Sequence, residues 1–130
     1  MNIKTLEYIN QHQLSSVMNQ TKWCELEKAL NGSEDFIPYV RYKLIYDENP
    51  NAGFTAVWWH ELLEIAETIE WLEVDPFKRE WLGRLVADRV TDFSDVVSAQ
   101  LAQYSIPYSI ENGMFRIWGY LRRDESPKFI

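Results

Sequence analysis

The apolar positions of this chain change period several times, and each change marks an element. Trp23, Leu26 and Leu30 recur at i, i+3 and i+7, with Lys22, Glu25 and Lys28 on other faces. That stripe predicts a helix over about 20–31, closed by Asn31-Gly32 as a left-handed cap. From Phe36 the period drops to two. Val40, Tyr42, Leu44 and Tyr46 alternate with Tyr39, Arg41, Lys43 and Ile45, the pattern of a half-buried strand. Residues 47–53, DENPNAG, then supply the backbone angles of a turn-rich loop, and 54–59 reads as a second strand. Residues 60–67, HELLEIAE, fit either one or two helical turns or an irregular crossing. Residues 69–74, IEWLEV, are rich in strand formers and are stopped by Asp75-Pro76, which predicts a strand with both faces partly covered.

Residues 78–89 have no clear period, although 84–90, RLVADRV, read as an extended piece. Thr91 or Asp92 supplies an N-cap, Asp92 and Asp95 suit the positive end of a helix, and Val97, Leu101 and Tyr104 continue at i, i+4 and i+7. A helix is predicted over about 93–104, ended by Ile106-Pro107. Asn112-Gly113 is the preferred two-residue hairpin loop, because both positions need positive φ. Folding the chain there sets Ile110 opposite Phe115 and Tyr108 opposite Ile117 on a core face, with Ser109 opposite Arg116 on the other. Trp118 and Tyr120 then point away from that core unless a helix covers them, and that exposed face is a candidate homodimer contact. A short helix over 5–13, with a restart at Ser15 or Ser16, makes 1–19 a weakly structured or helical segment. Residues 122–130, RRDESPKFI, read as a frayed or partner-docked tail. With no repeat or linker, the expectation is one compact α+β domain over 1–130, mainly antiparallel sheet, its C-terminal hairpin packed against two or three helices.

Composition agrees with a folded domain, since 46% of the 130 residues are apolar. A chain of this length buries roughly two-thirds of its unfolded surface, so it needs no disulfide or metal to fold. The single cysteine, Cys24, excludes an internal disulfide framework and suits a reducing cytosol. No signal-like or membrane-spanning apolar run occurs, so the expected location is cytoplasmic, with no membrane partner. A formal charge of -7 argues against nucleic acid as a partner and suits a basic one.

Catalytic chemistry has little to stand on. His60-Glu61-Leu62-Leu63-Glu64 starts like a zinc-protease helix but carries Glu64 where the second histidine is needed, and His12 is the only other histidine. Cys24 lies between Trp23 and Glu25, without the electropositive surroundings that make a thiolate. The five glycines are scattered singly, so no phosphate-cradling loop is visible. The expectation is a protein that is not an enzyme and has no metal or cofactor.

The acidic and aromatic middle carries the functional candidates. Seven of the 20 acids lie within 61–80, five of them at every third position from Glu61 to Glu73, beside Trp58, Trp59 and Trp71. Two arrangements fit this cluster. One is a solvated acidic edge with the tryptophans turned inward. The other is a docking surface for a basic protein, with Glu64, Glu67, Glu70, Glu73 and Asp75 steering the encounter and Trp58, Trp59 or Trp71 anchoring it. A small-ligand or peptide-binding module with an aromatic-lined pocket is the alternative class.

Three strings bear on kinship: TIEWLEVDPF at 68–77, GRLVADRVTDF at 83–93 and SIPYSIENGMFRIWGY at 105–120, with Asn19-Gln20-Thr21-Lys22-Trp23 opening the first clear helix. Together they resemble a family of short, uncharacterised bacterial proteins over about 20–121. Such small acidic proteins are similar to the immunity proteins encoded beside polymorphic or contact-dependent toxins. The resemblance implies a cytoplasmic immunity protein that occludes a cognate toxin, one with a basic, nuclease-type active site. It carries no catalytic signature onto positions of this chain.

Overall fold

In the computed structural model, which describes residues 1–32, 36–50 and 52–130, the first half of the chain forms α1 (Ile3–Gln11), β1 (Ser15–Ser16), α2 (Gln20–Asn31), β2 (Tyr39–Leu44) and α3 (Trp59–Glu64). A short 3-10 turn at Ala66–Thr68 leads into β3 (Ile69–Asp75). Then come β4 (Phe77–Glu80), β5 (Arg89–Asp92), α4 (Ser94–Gln103), β6 (Ser109–Glu111), β7 (Met114–Trp118) and β8 (Tyr120–Leu121). The class is α+β. One antiparallel sheet has the order β2-β3-β7-β6, and two antiparallel ribbons, β1-β8 and β4-β5, flank it.

Register and period two together decide the core face. Val40 lies across from Val74 and Tyr42 from Leu72, while Leu72 and Val74 meet Ile117 and Phe115 on the other side. Leu26 and Leu30 of α2, Leu62 of α3, and Val97 and Leu101 of α4 cover that face. Each such aliphatic side chain contributes about 1.5–3 kcal/mol on full burial. β3 is one of the two inner strands, and all seven of its residues are buried.

Several local expectations change. Gly32 ends α2 at φ -88°, in the right-handed region, so it is no left-handed cap. Residues 54–59 are not a strand. The chain pairs with the β2 edge through the Val40–Thr55 bridge, then turns so that Val57 and Trp59 reach the core. Asn51, within the predicted loop, lies outside the described residues. The predicted extended piece at 84–90 is a strand only from Arg89. At the start of α4, Asp92 Oδ1 accepts the Ser94 backbone N–H at 2.8 Å, and hydrogen bonds from the Ser94 side chain and backbone hold its carboxyl below the usual value. Ile110 does pair with Phe115 across the Asn112-Gly113 turn, whose φ values are 53° and 81°. It nevertheless stays 43% exposed, because β6 is the sheet edge.

A register shift between Lys43 and Leu44 ends the alternation of β2 and sends Ile45 into a second, smaller core with Leu14 and Tyr120, against Tyr8 and Ile9 of α1. Tyr120 is therefore covered by a helix, and Trp118 is buried too, so the hairpin face imagined as a dimer contact is absent. The Tyr120 hydroxyl donates to the Glu67 carbonyl at 2.7 Å. Burial, then the charge of Glu67 and the neighbouring Tyr46, raise its pKa above the ordinary tyrosine value.

Between β7 and β8, Gly119 is pressed against β3. Its N–H donates to the Glu70 carbonyl at 2.8 Å, and a Cβ added there falls 2.1 Å from the Ile69 carbonyl oxygen. Neither backbone has room to shift, so Gly119→Ala is expected to lower unfolding free energy by about 3 kcal/mol or more in urea titration. Tyr120 adds a pH dependence. Its stabilisation is complete below the unfolded tyrosine pKa of about 10 and is lost as pH rises through the higher folded value. Tyr120→Phe should flatten that alkaline limb of stability against pH.

Candidate functional site

The side of the sheet opposite the helices is built from charge. Arg41, Glu73, Arg116 and Ser109 form one cross-strand row over four strands. Glu73 is 1% exposed, yet both oxygens are satisfied. Arg41 Nε donates to Oε1 at 2.7 Å, and Arg116 Nη2 and Nε donate to Oε2 at 2.7 and 3.0 Å. The Arg116 guanidinium lies 4.2 Å from the Trp71 ring centre and 5.1 Å from that of Trp118. Flat cations over indole faces add stabilisation of about 0.5–2 kcal/mol per contact. Trp118 Nε1 donates to Ser109 Oγ at 2.9 Å, closing the row.

The neighbouring acids are held in the same way. Glu70 Oε1 accepts from Lys43 Nζ at 3.0 Å and from Arg122 Nη2 at 2.6 Å. Burial opposes the charge on Arg122, but hydrogen bonding and charge from Glu70 outweigh it and raise its pKa. Asp75 accepts from Arg79 Nη1 at 2.9 Å and from the Phe77 N–H at 3.0 Å. Glu70, Glu73, Asp75 and Trp71 are thus parts of the sheet, turned to internal cations rather than to solvent. Trp59 is buried in the main core. Of the cluster singled out from the sequence, Trp58 is 72% exposed, Glu64 is exposed and Glu67 is half-buried. Trp58 flanks α3, and Glu61 and Glu64 of that helix are exposed beside it.

Two features lie outside the sequence-based site residues, except that Asp75 lines the first, which has the aromatic walls expected of the ligand-binding alternative. One is a groove of about 640 Å³ where β2, β3, β4 and β7 meet, walled by Phe36, Ile37, Tyr39, Phe54, Phe77 and Met114. Of its polar groups, Asp75 and Arg79 are paired with each other and Lys78 lies 4.0 Å from Glu80, which leaves apolar walls without a converging set of free polar contacts. The other is an arm formed by the β4-β5 ribbon and its tip, residues 77–92. Leu85 is 100% exposed and Trp81 72% exposed, with Leu82, Val86 and Val90 also exposed. The string 81–86, WLGRLV, was the only available signal, an apolar run with neither helical nor strand period.

Among the described residues, no group of three or more His, Cys, Asp and Glu side chains is arranged to hold a metal ion. No helix is long and apolar enough to cross a membrane. Removing the Glu73 carboxylate leaves two arginines facing each other without a counter-charge. Glu73→Ala is expected to reduce unfolding free energy by about 3–5 kcal/mol and Glu73→Gln by less, whereas Glu64→Gln at the surface changes it by under about 0.5 kcal/mol. Urea unfolding of the three variants separates the sheet acids from the surface acids.

No curated protein and no solved structure matches this chain. The sequence profile of a family of unknown function, DUF6678, matches residues 5–124, from α1 to just beyond β8 and so across both cores. The chain belongs to that family.

Proposed function

We propose that this protein is a non-enzymatic partner-binding protein, a bacterial immunity protein that acts in the cytoplasm and neutralises a cognate toxin domain by stoichiometric occlusion. The observation that carries this reading is Trp58, an indole 72% exposed at the head of α3 and followed by exposed Glu61 and Glu64. A solvent-facing tryptophan with acids around it has the make-up of an interface anchor with a steering rim. The resemblance to small acidic immunity proteins supports the same reading, and the acids suit a basic, nuclease-type toxin surface. The docking acids are then Glu61, Glu64 and Glu67, because Glu70, Glu73 and Asp75 hold the sheet together.

The experiment is co-expression with the protein encoded beside this gene, scored by cell survival and pull-down. Rescue with a one-to-one complex is expected. Trp58→Ala should speed dissociation at least tenfold. Charge reversal of Glu61 and Glu64 should slow association and reduce its salt dependence. Both variants should retain wild-type thermal unfolding. Absence of toxicity and of a complex would overturn the proposal, and a complex indifferent to Trp58 and Glu64 would remove this face from it.

A further inference from the structure

The two unexplained features of the molecule fit each other. The arm leaves the body from the rim of the groove, since Phe77, Lys78 and Arg79 both line the groove and begin β4. Roughly 13 Å of paired strand separates that rim from the tip, and none of residues 80–92 lines the groove of its own chain. A two-stranded ribbon alone in water is marginally stable, and this one holds its largest apolar side chains away from the body. Trp81, Leu82, Leu85, Val86 and Val90 together expose roughly 600 Å², at the upper end of the largest apolar patch expected on a monomer.

Apolar area, rather than charge, selects the occupant. Four of the 13 cations and three of the 20 acids lie within 77–92, so the rest of the chain carries nine cations against 17 acids. Two of those four, Lys78 and Arg79, line the groove itself, and beyond them Arg84 and Arg89 stand against Glu80, Asp88 and Asp92, so the tip carries no positive excess. Its tip cation, Arg84, has no ion pair among the described residues. Apolar contact is what draws such a tip to another copy, where it finds a groove with apolar walls in which Asp75 and Arg79 are paired with each other.

We infer that the protein forms a two-fold dimer by reciprocal arm exchange, the tip of each arm seated in the aromatic groove of the other copy. Because the exchange is reciprocal, one two-fold axis relates both contacts and closes the assembly. Two arms bury more than about 1,200 Å², which reaches the standard size of a stable interface. The groove walls that matter most are Ile37 and Tyr39, each more than half exposed in the single chain.

Sedimentation equilibrium of the full chain across the micromolar range tests this. The expected result is a species of twice the 15.5 kDa chain mass that dissociates on dilution. Leu85→Asp, on the arm, and Ile37→Asp, on the groove, should each weaken dimerisation at least tenfold while leaving the circular dichroism spectrum and thermal unfolding of the monomer unchanged. Both positions are exposed, so neither variant is expected to misfold. Mixing the two variants is the decisive arm. One intact tip then meets one intact groove, and a heterodimer should reappear at intermediate affinity. A wild-type chain that stays monomeric throughout, or a dimer indifferent to Leu85→Asp, overturns the proposal. Failure of the mixture to associate removes the groove as the seat and indicates arm against arm. A monomer that instead co-floats with vesicles of phosphatidylserine and phosphatidylcholine assigns the arm to a lipid surface and likewise overturns the dimer.

Discussion

A carboxylate in the middle of the sheet is the constraint to which much of this molecule answers. Glu73 sits on the inner strand β3 at 1% exposure, where an unpaired charge is penalised by several kcal/mol. Its presence requires a cation on each neighbouring strand at the same register position, and Arg41 and Arg116 stand there. Those guanidiniums in turn need flat partners, which Phe54, Trp71 and Trp118 provide. Such a layer gives less net stability than an aliphatic one of equal volume, but it penalises wrong register. A slip of one residue turns the carboxylate into the apolar core and the leucines out.

The sequence made the backbone plan largely legible and the chemistry of the polar face illegible. Helix α2, helix α4 and the Asn112-Gly113 hairpin follow from local period and turn chemistry, because each is decided within a dozen residues. Strand 54–59 failed because two adjacent tryptophans imitate strand propensity while their fates differ: Trp59 enters the core and Trp58 stays in water. Ile45 and Tyr46 swapped sides because the bulge at Lys43 and Leu44 has no glycine or proline to announce it.

The every-third-residue spacing of the glutamates was a real pattern with a misleading meaning. It runs through a helix, a 3-10 turn and a strand, so it does not describe one face. Glu61 and Glu64 belong to α3 at the surface, and Glu70 and Glu73 belong to β3 in the interior. What separates them is pairing with Lys43, Arg122, Arg41 and Arg116, residues distant along the chain. Local charge counts treat an acid as solvated; only the sheet order reveals which acids already have counter-ions. The arm was hidden for another reason: 84–90 read as an extended piece, but nothing local showed that its apolar side chains face solvent.

The Glu73 row also bears on how the chain can assemble. Its two arginines lie 32 and 43 residues away, on opposite sides in sequence. A sheet that has paired β2 with β3 but still lacks β7 holds a half-neutralised carboxylate and an unshielded indole. A sheet with β3 and β7 alone has the same defect on its other edge. Partial sheets are thereby driven back toward the unfolded chain, and the central layer behaves as an all-or-none switch. For a small protein with a sticky arm, that cooperativity keeps half-built molecules, with open strand edges, scarce.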